Sequence, residues 1–390
     1  MPTRRQLLTT ALAGAALAAM PVRWAFAAAP TDKRFVLVIL RGALDGLHAV
    51  PPYAEREYAS LRPALAIPKP GSTDGAIDLD GHFGLHPALA PLAELYRAKE
   101  LIIVPAATTA YRDRSHFDGQ DVLENGTPTP FAASDGWLNR SIVALGGGEK
   151  RLGLAVGSGI PVVLRGKARV QNWAPTKLPA ADQDFMRRLS YLYAEDATFA
   201  NAFQLASAPM DPEMDGHGQR PRLNFTDAAA AASRMLVATD GPRIAVLEAD
   251  GWDTHINQTN RLKPLFIELG QGLASFKTDL GPAWSETAIV VVSEFGRTAA
   301  QNGNNGTDHG TGGLTLALGG ALAGGRILGR WPTLEKSALL DGRDVRPDND
   351  YRSVWKALLH GHMGIAEGAL EDKIFPDSRA APPMDGLLRA

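Results

Sequence analysis

Three uninterrupted apolar runs constrain this chain more than any other feature: FVLVIL at Phe35–Leu40, IAVL at Ile244–Leu247 and AIVVV at Ala288–Val292. A strand that is apolar at every position has to be covered on both faces, which is the condition of a parallel sheet sandwiched between helices. Each run gives way at once to polar, chemistry-bearing residues. RGALDGLH follows the first, with Arg41, Asp45 and His48; DGWDTHINQ follows the second, with Asp250, Asp253 and His255. SEFGR follows the third, with Glu294 and Arg297, and a Gly/Asn-rich loop then carries Asp308 and His309. In open α/β sheets, ligands bind outside the carboxyl ends of the strands.

The segments between these runs complete an alternating pattern. Residues 87–98 have helical periodicity and Leu101–Val104 reads as a short strand. Leu152–Val156 and Val162–Leu164 read as strands around a Gly/Pro turn, with helices over 181–206 and 226–239. A strand over Arg243–Glu248, a helix over Thr259–Leu280, late short strands at Leu314–Leu318 and Arg326–Leu328, and a closing helix over Tyr351–His362 follow. Strands alternating with helices predict a three-layer α/β/α sandwich with a mainly parallel central sheet. Residues 205–225 hold several prolines and no apolar periodicity, and read as an exposed insert in a single domain spanning 30–390.

The first 29 residues are set apart from that domain. Arg4 and Arg5 precede an Ala/Gly-rich apolar stretch from Leu7 to Met20, and Ala25-Phe26-Ala27 offers a cleavage site, with alternatives up to Ala29. TRRQLL is similar to a twin-arginine export signal, which implies the twin-arginine machinery as a partner and a periplasmic destination. The apolar run is short for a membrane span, so no permanent anchor is expected once it is removed. Without residues 1–29 the formal charge moves from −2 to −5, and no basic run remains to bind nucleic acid. The chain has no Cys, so any metal has to be held by His and carboxylate groups.

In a parallel sheet the three strand ends share one edge, and Asp45, Asp253, Glu294 and Asp308 converge there with His255 and His309. Carboxylates brought together repel one another unless protonated or neutralised, and a divalent cation does this economically. Oxygen and imidazole ligands suit Zn, Mn, Mg or Fe; Ca is the further alternative for a carboxylate-rich site. Asp253 and His255 are two apart and share a side if that segment is extended. The same residues also suit structural roles: Asp45 as a helix N-cap, Asp253–His255 as a loop hydrogen bond, Glu294 as an ion-pair partner of Arg297, and Asp308–His309 as a turn. A further segment, YRDRSHFDGQD at 111–121, follows the Leu101–Val104 strand. Ser115 at a helix start is either an N-cap or a nucleophile assisted by a metal, with Arg114 and His116 beside it and Arg112 close by. His86, before Pro87, reads as structural.

The motifs RGALDGL, FGLHPAL, RSHFDGQD, GWDTH, SEFGRT, GTDHGTGG and DYRSV resemble, in this order, those of a family of twin-arginine-exported bacterial proteins of unknown function. That family is placed in the alkaline phosphatase/sulfatase-like superfamily. The resemblance implies an alkaline phosphatase-like sandwich with one or two divalent metal ions at the strand ends, acting on phosphate or sulfate esters. It also implies roles: Asp45, Asp253, His255, Glu294 and His309 as metal ligands and Ser115 as nucleophile, while Asp308 or His116 is the residue that would compensate for departures from the pattern. Two departures stand out. Phe295 occupies the position after Glu294 where the superfamily has a His, and the Asp253/His255 spacing is two instead of four. A periplasmic metal-dependent hydrolase of anionic esters is therefore the leading expectation, and a non-catalytic binding or accessory protein on the same fold is the alternative.

Overall fold

A computed structural model describes residues 31–147, 151–174 and 224–389. The expected signal segment 1–29, the helix over 181–206 and all but the last two residues of the insert 205–225 lie outside the described residues.

The apolar runs form the central sheet. Its strands are β1 (Arg34–Arg41), β4 (Leu101–Thr108), β5 (Gly153–Val156), β6 (Val170–Trp173), β7 (Ile244–Asp250), β8 (Thr287–Val292), β9 (Gly313–Leu318), β10 (Arg326–Ile327) and β11 (Asn349–Asp350). The short pair β2 (Ile77–Asp78) and β3 (Gly84–Leu85) lies apart from it. The strand order is β10-β4-β9-β8-β1-β7-β5-β6, with β11 also pairing with β4. Within this sheet the described pairings are parallel except those of β9, which runs opposite to both β4 and β8. This is the mixed α/β architecture with a mainly parallel sheet that the apolar runs predict.

Alternation along β1 divides the core in two. Val36, Val38 and Leu40 face α3 (Ala90–Arg97), α6 (Phe225–Val237) and α7 (Gln258–Leu280). Phe35, Leu37 and Ile39 face α5 (Trp137–Ala144) and α8 (Tyr351–Ala357), where Trp137 stacks on Trp355 with ring centres 4.6 Å apart. Helices on both faces are what a strand without a polar face demands. Among the described residues, no helix is long and apolar enough to cross a membrane.

Two sequence expectations change. Val162–Leu164 is a single 3-10 turn, and the strand beside β5 is β6, Val170–Trp173. Pro161 fixes the backbone before the turn, while VQNW is half polar because this edge strand is half exposed. The closing helix is α-helical only to Ala357 and continues as a wider π turn over Leu358–His362.

Strand register aligns the functional ends. Arg41 pairs with Asp250, and Ile39 pairs with Val292, two residues before Glu294. Because β9 runs backwards, the loop from β8 to β9 returns to the same edge, and this brings Asp308 and His309 beside the ends of β1, β7 and β8.

Candidate metal centre

Backbone hydrogen bonds hold three loops together at this edge. The turn after β8 and the Gly-rich loop pair as a short hairpin: Gly296 N–H donates to Thr311 O (3.0 Å), Gly310 N–H to Gly296 O (2.9 Å) and Thr298 N–H to Asp308 O (3.0 Å). Thr307 N–H donates to Thr254 O at 3.2 Å, which ties the loop to the segment after β7. Glycine is required at two of these approaches. Gly42, at φ +117°, lies so near that an added Cβ would stand 2.5 Å from the Asp253 nitrogen, and one on Gly306 would stand 2.2 Å from the His255 carbonyl carbon.

Side chains from α4 (His116–Asn125) and from two loops then meet. His116, Asp253 and His309 each offer a ligand atom, all within 4.8 Å of one another. His116 Nε2 and His309 Nε2 are 3.0 Å apart, and Asp253 lies 3.5 Å from the first through Oδ2 and 3.4 Å from the second through Oδ1. His255 adjoins the group, its Nε2 at 2.9 Å from Asp253 Oδ1 and 3.0 Å from His309 Nε2.

The outer nitrogens fix the tautomers. His116 Nδ1 is 2.7 Å from Glu294 Oε1, and Glu294 also accepts from Gly42 N–H (2.9 Å) and Gln120 (3.1 Å). Burial pushes the Glu294 carboxyl up, but these hydrogen bonds, that of His116 first, hold it below the usual carboxylate range. His116 Nδ1 therefore carries the proton. The hydrogen bond to Glu294 raises the His116 pKa, against the opposing effect of burial. His309 Nδ1–H donates to the Arg114 carbonyl at 3.0 Å. Burial, followed by the charges of His116 and Arg297, lowers the His309 pKa. With both rings neutral the two Nε2 lone pairs would face each other; a proton on His116, whose pKa is raised, or a cation relieves that contact. Imidazoles whose other nitrogen is hydrogen-bonded to a carboxylate or carbonyl are the usual form of a metal-ligating His. Tetrahedral ligands at about 2.0–2.1 Å from a zinc-sized ion stand about 3.3 Å apart, close to the separations seen.

Asp253 is oriented by Arg297, whose Nη1 donates to Oδ1 at 2.8 Å while its other nitrogens are clamped by Thr307. Burial raises the Asp253 pKa, but the Arg297 hydrogen bond and charge overcome it and keep the carboxyl ionised. Two histidines and a carboxylate, each partly exposed, match the number and type of protein ligands that an open metal site uses.

The sequence-nominated residues fall into three groups. His116, Asp253 and His309 are brought together, with His255 alongside. Glu294 and Asp308 lie behind imidazoles instead of facing the centre: Glu294 behind His116, and Asp308 Oδ1 at 3.4 Å from His255 Nδ1. Asp45 is not part of the group. It caps α1 (Gly46–Ala49) by accepting from His48 N–H, and its fully buried carboxylate is paired with Arg62 at 2.6 Å and with Gln258 at 2.6 Å. Burial raises its pKa and the Arg62 guanidinium more than reverses this, so its lone pairs are taken by an internal cation. Glu294 does not pair with Arg297, which reaches Asp253 instead.

Ser115 sits at the N-cap of α4, but its side chain makes no capping hydrogen bond. Arg114, at φ 63°, turns its guanidinium to Asp344 (2.8 Å) and contributes only its carbonyl to the centre. An open cleft of about 510 Å³ lies beyond it, lined by Arg112, Arg114 and Arg346 with Asp341 and Asp348. Phe295 is buried against Ala43, Tyr111 and Val122, with its ring centre 5.0 Å from that of His116 and 5.3 Å from that of His309. An apolar wall therefore stands where a second imidazole is expected, and among the described residues one metal-competent group is found. His48 is likewise no ligand; it stacks near His86 and Phe266, and burial lowers its pKa to about 4.

Gln120, Arg62 and Gln258 were not anticipated. Gln120 lies one helical turn after His116, a spacing that would have identified it; Arg62 gives no local signal.

The chain is similar to several solved structures. Ps i-CgsB in complex with k-i-k-neocarrahexaose is 12% identical, with 91% of this chain and 75% of that one covered at a TM-score of 0.46. A protein in the alkaline phosphatase superfamily from Vibrio parahaemolyticus is 12% identical, with 75% and 62% covered at a TM-score of 0.38. The C-terminal periplasmic domain of EcEptC from Escherichia coli, in complex with Zn, is 10% identical, with 75% of each chain covered at a TM-score of 0.36. No curated protein matches. Residues 107–371, which carry His116, Asp253, His255, Glu294 and His309, match the family described as protein of unknown function (DUF1501), and the chain belongs to that family.

Proposed function

We propose that this protein is a metal-dependent hydrolase of phosphate or sulfate esters, exported to the periplasm by the twin-arginine route, with a single divalent ion held by His116, His309 and Asp253. The observation that carries the reading is the convergence of one ligand atom each from His116, Asp253 and His309 within 4.8 Å, with both histidine Nδ1 atoms engaged from behind. A divalent ion there would supply Lewis acidity, stabilising negative charge that develops on the ester.

The chain's own groups supply the rest. Glu294 holds the Nδ1 proton of His116, which orients the ring so that Nε2 faces the ion and makes that nitrogen a stronger donor. Arg297 fixes the Asp253 carboxylate. His255, 40% exposed beside Asp253, is placed to give or take a proton at Nε2. Ser115 adjoins His116 with a hydroxyl free of capping, which suits a nucleophile at a helix N-terminus. Arg112, in the neighbouring cleft, offers positive charge to an anionic substrate.

The test is turnover of 4-nitrophenyl phosphate and 4-nitrophenyl sulfate by metal-loaded mature protein. Activity that disappears in Asp253→Ala with the fold retained supports the reading; inactivity with every divalent metal on a broad ester panel contradicts it. Phe295 favours a second reading, a non-catalytic binding or accessory protein, because its ring fills the place of a second ligand. An unchanged biological phenotype for Ser115→Ala and Asp253→Ala together would support that alternative.

A further inference from the structure

Asp344 is a fully buried carboxylate outside the metal centre. Its Oδ2 accepts from Arg114 Nε and Nη2, both at 2.8 Å, and its Oδ1 accepts from Arg343 Nη1 at 2.8 Å. The segment that carries it runs behind the Gly-rich hairpin. Asp344 pairs with Thr298 in an antiparallel bridge, and Ala299 N–H donates to Arg343 O at 3.1 Å. Gly312 N–H donates to Val345 O at 3.0 Å, and the Thr311 hydroxyl donates to the same carbonyl at 3.0 Å. Asp344 is thereby fixed to the hairpin that presents His309. Arg114 belongs to the other half of the centre, two residues before His116. Its carbonyl accepts His309 Nδ1–H, and its backbone is left-handed at φ 63°. That conformation is uncommon for a residue with a Cβ and persists where the surroundings enforce it. Asp344 grips the Arg114 guanidinium at two nitrogens, whereas Asp341, 71% exposed and 3.5 Å away, adds little.

Resting on the metal-site reading, we propose that Asp344 is a positioning residue: through Arg114 it locks the segment carrying His116 onto the hairpin carrying His309, and so sets the spacing of the two imidazoles and the affinity for the ion. The contacts close a ring. Asp344 holds the Arg114 guanidinium, the Arg114 carbonyl holds His309, and the hairpin of His309 holds the Asp344 backbone. Opening the ring at Asp344 leaves a strained backbone with no side-chain anchor, free to relax away from His309 Nδ1.

The experiment measures zinc affinity, by competition with a chromogenic chelator, in mature protein carrying Asp344→Asn, Arg114→Gly, both together, or Arg343→Gln. Glycine keeps the Arg114 carbonyl and tolerates its backbone, so Arg114→Gly removes the anchor without adding strain. Asp344→Asn and Arg114→Gly are each expected to weaken zinc binding about tenfold, the lower end of what an outer hydrogen-bond partner contributes. The double variant is expected to lose no more than either alone, because both break one link. Arg343→Gln removes the other partner of Asp344 at a 42% exposed position and is expected to leave affinity within about twofold. Cobalt supplies a spectroscopic signature: at saturation its visible bands shift in Asp344→Asn and Arg114→Gly but not in Arg343→Gln. Urea midpoints of the metal-free proteins identify a variant that does not fold, and if Asp344→Asn is one, Arg114→Gly decides alone. Unchanged affinity in Arg114→Gly, losses that add in the double variant, or an equal loss in Arg343→Gln overturns the role of Asp344 and leaves the metal site standing. A wild type that binds neither zinc nor cobalt overturns both.

Discussion

His116 and His309 face each other through Nε2 atoms 3.0 Å apart, although Glu294 and the Arg114 carbonyl have already claimed their Nδ1 protons. A pair arranged in this way has capacity for one cation, and the consequences can be measured one residue at a time.

Glu294→Gln removes the charge behind His116 and keeps the side-chain shape. Groups that hold a ligating imidazole from behind typically contribute about 10–100-fold to metal affinity. A zinc affinity weakened by that factor is expected, with stoichiometry unchanged at saturation, as read by competition with a chromogenic chelator. Unchanged affinity would mean that His116 is not a ligand.

Proton and metal compete for His116. Its folded pKa is raised, so in the metal-free protein the charged His116–Glu294 pair stabilises the fold fully below the ordinary imidazole value of about 6.5, and that contribution is lost as pH rises through the folded pKa. Metal affinity moves the other way: it weakens as pH falls through the raised His116 value. The lowered pKa of His309 keeps that ring out of the competition until more acid conditions. Titration calorimetry in buffers of different ionisation enthalpy is expected to show about one proton released per metal bound just below the His116 pKa.

Arg62→Met leaves the buried Asp45 carboxylate without its cation. Breaking a buried pair from one side costs about 3–5 kcal/mol, readable as a lowered urea midpoint. Metal content per folded molecule is expected to stay the same, because Asp45 binds Arg62 and Gln258 and not the ion. Loss of metal at full folding would contradict this placement.

Phe295→His puts an imidazole back where the superfamily pattern has one. The ring it replaces packs in an apolar cluster with Ala43, Tyr111 and Val122. A stability loss of about 1–3 kcal/mol is expected, with no gain of a second metal equivalent.

The sheet was readable because its central strands are apolar without interruption, which leaves them no alternative to full burial. β6 was not, since VQNW at a half-exposed edge carries no such pattern, and a polar helix such as α4 (HFDGQDVLEN) lacks a strong apolar stripe. The site segments were legible as chemistry placed after buried strands. The division of labour within them was not, because it depends on side-chain direction. Asp45 looks like a ligand until Arg62, seventeen residues on, is seen to saturate it. Glu294 and Asp308 share the centre's loops, yet point at the backs of imidazoles. Arg297 sits three residues from Glu294 but is carried by the hairpin toward Asp253. His116, nominated beside Ser115, lies within the group of ion-competent ligand atoms.

The most direct test of a one-metal centre is elemental analysis of untagged mature protein after equilibration with zinc and removal of excess ion. The expected result is one equivalent in the wild type, lost in His309→Ala and in Asp253→Asn while circular dichroism stays unchanged. Two equivalents, or one that survives both substitutions, would contradict it.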